Sequence, residues 1–175
     1  MAIVIDATVG GASANSFVTL VQAQAYMSAR LNSGAWDNAT TDQQNRSLVS
    51  ATQELSMLDW ASRRATTTQA LSWPRWFVQN PDAANFAVNY YLSTIIPDRV
   101  MNATCELAFQ FLVGGTTDIA SLDPSLGVIE QDVDVIHMRI QPYQKPMGLK
   151  RFPSVWRYIW PMLDGTSFQS ELVRG

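Results

Sequence analysis

The chain has 175 residues, enough for one domain around one core, and it is 47% hydrophobic but only 15% charged. Twelve Lys and Arg against fifteen Asp and Glu leave a net charge of −3 with the bases scattered, Arg63–Arg64 and Lys150–Arg151 being the densest groups, which argues against a protein that grips phosphates over a broad face. No run reaches the ~18 apolar residues of a membrane span, the first residues lack the basic start of a signal peptide, and a single cysteine, Cys105, excludes an intrachain disulfide and a multi-thiolate metal site; the expectation is a protein made in the cytosol, away from membranes, whose weakly charged surface suits an oligomer.

The opening "AIVID" is β-branched and apolar up to Gly10 and Gly11, which predicts a short strand or extended arm. Thr19 and Gln22 have capping-box spacing and open a helix near residues 20–30, with Leu20, Ala23, Tyr26 or Met27, and Arg30 along one face. "LNSGAWDNATT" reads as a loop. Thr41 and Gln44 repeat the capping spacing and start a longer helix near residues 42–60, whose buried stripe is Leu48, Ala51, Thr52, Leu55 and Leu58.

In "LSWPRWFV", Pro74 fixes its own φ and drives Trp73 out of the helical region, so the chain turns there. The insert "NPDAANFAVNYYLST" has room for one helical turn. Pro97 stands at a first helical position and Gly114–Gly115 at a stop, bracketing a helix near residues 97–113 with Val100, Thr104, Leu107, Ala108, Phe111 and Leu112 inward and Cys105 beside them. Residues 128–140 alternate as one or two strands, and "FPSVWRYIWPML" ends the chain's regular structure as a short helix limited by Pro161. The fold class is mainly α: a small helical bundle over residues 1–163 with a short β-hairpin or strand element near residues 128–140, then an extended C-terminal tail over 164–175.

Little in the sequence invites catalysis. His137 is the one histidine, and no serine has the glycines of a nucleophile elbow around it. One His and one Cys at distant positions do not make a zinc site, and no phosphate-cradling glycine loop or dinucleotide fingerprint is present. Asp132 and Asp134 share one face of a strand, an arrangement common in solvated strands, so no enzyme activity, metal or cofactor is expected, and His137 and Asp134 should be dispensable.

Four segments carry a resemblance: "ANSFVTLVQAQAYMSAR", "SLVSATQELSMLDW", "ALSWPR" and "IPDRVMNATCELAFQFL". In this order they resemble a family from the structural gene cluster of tailed bacteriophages, labelled DnaT-like single-stranded-DNA-binding and similar to head-tail connector (adaptor, head-completion) proteins. The segment from Val78 to Ile96 and the linker "QPYQKP" depart from the family's pattern. The resemblance implies a virion protein forming a ring, usually of twelve copies, between portal and tail, with tail or nozzle proteins as further partners and double-stranded DNA passing through unbound. The label implies a second function, binding of single-stranded DNA in replication initiation.

Two groups of residues bear on that choice. Trp73 and Trp76 lie between "TTTQALS" and "FVQNPDAAN", without the basic neighbours of a stacking platform, so Trp73, Pro74 and Arg75 read as a structural corner, Arg75 pairing with an acid or capping a carbonyl. In the closing segment, Trp156 and Trp160 secure the base of a tail whose sparse anchors, Phe168 and Leu172, suit docking on the portal or a neighbouring subunit.

Overall fold

The computed structural model describes residues 3–84, 89–117, 130–133, 136–139 and 148–164. It is mainly helical: α1 (Leu20–Ser28), α2 (Gly34–Asp37), α3 (Thr41–Ser56), α4 (Asp98–Gly114) and α5 (Pro153–Ile159), with two small antiparallel pairings, β1 (Arg63–Arg64) with β2 (Arg75–Trp76) and β3 (Glu130–Val133) with β4 (Ile136–Arg139). Helix α4 is the axis, packed against α1, α2, α3 and α5. Its sequence explains this place, for Val100, Ala103 to Phe109 and Phe111 are all buried, and a helix apolar on most sides must be enclosed by others. Leu48, Ala51, Thr52 and Leu55 of α3 are buried as expected, while Leu58 lies beyond the helix and is partly buried.

The N-terminal stretch resolves as an extended arm. Side chains of α3 hold it, Asp42 Oδ1 accepting from the Ile3 amide at 3.1 Å and Asn45 Nδ2 donating to the Ile3 carbonyl at 2.9 Å. Thr19 and Gln22 form the expected capping box on α1. The box on α3 is displaced by one residue, using Thr40 and Gln43 in place of Thr41 and Gln44. The sequence offers both spacings, and the burial of Gln44 decides between them, because its Nε2 donates to the Trp36 carbonyl at 2.9 Å. That same contact explains why the expected loop before α3 contains α2: buried Trp36 anchors the turn.

Three boundaries also shift. Helix α1 stops at Ser28, α3 at Ser56, and Pro97 is the N-cap of α4, its carbonyl accepting from Val100 and Met101 at 2.9 and 3.1 Å. Gly115 ends α4 in the left-handed conformation expected of a glycine stop. The described part of the insert holds turns and no helix. The hairpin falls where alternation placed it, with Asp132 opposite His137 in register. Beyond α5 a single 3-10 turn, Trp160–Met162, leads to a bridge in which Leu163 pairs antiparallel with Trp60.

Candidate functional site

The Trp-Pro-Arg segment begins as a corner and ends as a display. Trp73 is 1% exposed and meets the rings of Trp60 and Tyr91 edge-on at 5.4 and 6.3 Å. Its indole N–H has no acceptor among the described residues, so the ring is held by packing. Arg75 is also buried, and its guanidinium donates to four main-chain carbonyls, those of Trp60, Ala61, Ser62 and Ser72. Of the two roles left open for Arg75, the structure selects the carbonyl cap. Burial, with a smaller contribution from nearby Arg64, lowers the pKa of that guanidinium. Pro74 closes the corner through its carbonyl, which accepts from the Ala65 amide and from Gln69 Nε2, both at 3.0 Å.

One residue further on the chain turns outward. Trp76 is 42% exposed, Phe77 60% and Tyr90 46%. Their rings form a continuous cluster, Trp76 to Phe77 at 5.9 Å and 38°, Phe77 to Tyr90 at 6.1 Å and 87°. Trp76 Nε1 donates to the Ala65 carbonyl at 3.0 Å, which fixes the indole by its edge. Phe77 has φ of +53°, a left-handed conformation that costs a side-chain-bearing residue about 1–2 kcal/mol. The backbone strain thus accompanies an aromatic ring turned toward water. Across the strand pair, Arg63 stands opposite Trp76 and Arg64 opposite Arg75, both arginines exposed and neither with an acidic partner among the described residues.

A second polar centre is built around Glu106 of α4. Glu106 is buried and accepts from Tyr26 Oη at 2.9 Å and from Arg30 Nε and Nη2 at 3.0 and 3.3 Å. Tyr26 and Tyr158 hydroxyls are 3.4 Å apart, and the Arg30 guanidinium lies 3.9 Å from the centre of the Phe109 ring. Burial first, then the hydrogen bonds to Tyr158 and Glu106, raises the Tyr26 pKa. An open cavity of about 570 Å3 adjoins this network, lined by Asp82, Arg99, Glu106, Ser154, Arg157 and Tyr158. Its charges are already engaged in part, Asp82 taking a two-pronged bond from Arg99 at 2.6 and 2.7 Å. The sequence placed Arg30 on an apolar face without its partner, since Glu106 lies 76 residues away.

The remaining expected residues scatter. Cys105 is buried on α4, and burial pushes its thiol up to about 12. Trp156 packs partly buried against the core with Lys150 over its ring, whereas Trp160 is 56% exposed. Phe168, Leu172 and Asp134 lie outside the described residues. No group of three or more His, Cys, Asp or Glu side chains among the described residues could hold a metal ion, and no described helix is long and apolar enough to cross a membrane.

A family model described as "Putative DnaT-like ssDNA binding protein" matches residues 1–175. No curated protein and no solved structure matches the chain.

Proposed function

The chain belongs to the DnaT-like family, and from that membership and its likeness to phage connector proteins we propose a virion structural role. Copies of the chain form a ring, of twelve subunits in the connector pattern, between portal and tail. The ring extends the DNA channel and offers the surface on which tail or nozzle proteins assemble. The observation that carries this reading is the distribution of exposed apolar side chains: Leu31 beyond α1, Met57 at the end of α3, Val113 in the last turn of α4 and Trp160 after α5 are all exposed. A ring subunit needs contact surfaces on several sides at once, two lateral and two axial, and a chain with few charges can bury them. The interior position of Trp73 and Arg75 adds support, because it assigns the family-like Trp-Pro-Arg motif to holding the fold together.

The chain acts here without catalysis, bound metal or cofactor. Particles assembled with the chain deleted from residue 165 onward, a cut that spares the Asp164 amide bonded to the Asp59 carbonyl at 2.8 Å, should contain DNA-filled heads with the protein missing from the portal. Incorporation of the truncated chain at the full-length level, or normal tailed particles without the protein, would overturn the reading.

The family description names single-stranded DNA, and a specific observation favours a place for that second reading: the exposed rings of Trp76, Phe77 and Tyr90 with Arg63 beside them.

A further inference from the structure

We propose that the Trp76–Phe77–Tyr90 cluster, with Arg63 at its edge, is a stacking site for unpaired bases of a single-stranded nucleic acid. The proposal gives residues to the second reading above, and it stands apart from the ring.

The rings themselves select the ligand. Their centres step by 5.9 and 6.1 Å, well over the ~3.4 Å between neighbouring bases along a duplex strand. Their planes differ by 38° and 87°. Bases held in a duplex cannot meet such a surface one ring at a time, whereas a splayed single strand can, since each nucleotide turns independently. Trp76 has its N–H committed to the Ala65 carbonyl, so it offers a π-face with no donor to satisfy, and contact of that kind tolerates any base.

The charge beside the rings fits a phosphate backbone. Arg63 lies directly across from Trp76, whereas Arg64 lies across from Arg75 and so on the opposite face of the strand pair. Arg63 is exposed and is not neutralised by an acid among the described residues, so it is available to a phosphate of a strand laid on the rings. The net charge of −3 is spread over the whole chain and sets weak affinity without removing the local site. Phe77, strained at φ +53° and exposed, is placed for contact with something outside the chain.

The test uses the full chain and a fluorescein-labelled fifteen-nucleotide oligo-dT, with anisotropy read at about 50 and 200 mM salt. One phosphate contact predicts a salt slope near −0.7, or about a 2.6-fold loss over that range. Phe77→Ala and Tyr90→Ala should each weaken binding about fivefold or more, and Phe77→Trp should keep it. Arg63→Ala should weaken binding and flatten the slope, and a duplex of equal length should bind less tightly. Thermal melts of each variant establish that the fold is retained. Absence of binding at 50 mM salt, equal binding of the duplex, or unchanged affinity in the ring-truncated variants overturns the proposal. So does a cluster whose loss spares oligo-dT binding but abolishes association with portal or sister subunits, which would make it a protein contact. Oligo-dT binding through the cluster by a chain absent from particles sinks the connector reading and leaves this one standing.

Discussion

Trp73 and Arg75 occupy one corner in complementary ways, the first filling space and the second saturating carbonyls. Truncating Trp73 to Ala should cost about 3–5 kcal/mol by urea unfolding, and Trp73→Phe less, because the indole N–H it removes has no acceptor. Arg75→Met should also destabilise, since it leaves the carbonyls of Trp60, Ala61, Ser62 and Ser72 without their shared donor. Both tryptophans of "LSWPRWFV" are visible in the sequence as a pair. Their division into buried and exposed members is set by contacts between distant residues, Trp73 against Trp60 and Tyr91 and Trp76 across from Arg63, which no local periodicity announces. For the same reason the sequence shows Trp76 without bases, while the fold brings Arg63 to it. Cys105 has a pH signature. A thiol whose folded pKa is raised favours folding below its unfolded pKa near 8.5, and that contribution falls as pH climbs toward about 12, by about 1.4 kcal/mol per unit. Tyr26, also raised, adds to the alkaline loss from about pH 10. Urea midpoints measured at pH 8 and 10 should therefore fall less in Cys105→Ala than in the parent chain.

At the scale of elements, the two capping boxes make the start of each long N-terminal helix legible, yet they differ in how firmly the sequence fixes them. Thr19 and Gln22 have no competitor. Thr40 and Thr41 each have a glutamine three residues on, and only tertiary burial of Gln44 settles the choice. Thr40→Ala should therefore cost about 1 kcal/mol and Thr41→Ala little, a difference that thermal melts can resolve. Helix α4 was readable from its apolar run, whereas the pairing of its Glu106 with Arg30 of the stretch after α1 was not, because ion pairs between distant elements leave no spacing signal. Breaking that pair by Glu106→Ala leaves Arg30 half-enclosed without its acid. Its side chain keeps 22% exposure, so the cost should fall near or below the lower end of the ~3–5 kcal/mol seen for fully buried pairs. Calorimetry of Glu106→Ala beside Glu106→Gln, which retains the tyrosine contact, measures the charge contribution.

For the whole molecule, order along the chain and order in space diverge. The class of fold follows from three amphipathic runs and their glycine and proline boundaries, and it is the class observed. What the runs do not state is that α4 is central, enclosed by helices from both ends of the chain. An assembly role predicts a mass that is a multiple of the 19.4 kDa chain. Native mass spectrometry of the purified protein, alone and with portal, should show rings at least in the second case. Monomers in both would contradict the proposed role.

The clip at the end of the described chain has a mechanical consequence. Leu163 bridges Trp60, the Ala61 amide donates to the Met162 carbonyl at 3.0 Å, and the Asp164 amide donates to the Asp59 carbonyl at 2.8 Å. On the far side of the same residues, the Arg75 guanidinium grips the carbonyls of Trp60, Ala61 and Ser62. Tension applied through Asp164 therefore reaches this antiparallel pairing first, and the bonds from the Arg75 guanidinium back it. The pull does not begin by peeling α5 from α4, because the corner takes the force first. In the proposed ring, a load carried by the chain through Asp164 would strain that clip before it strained the core.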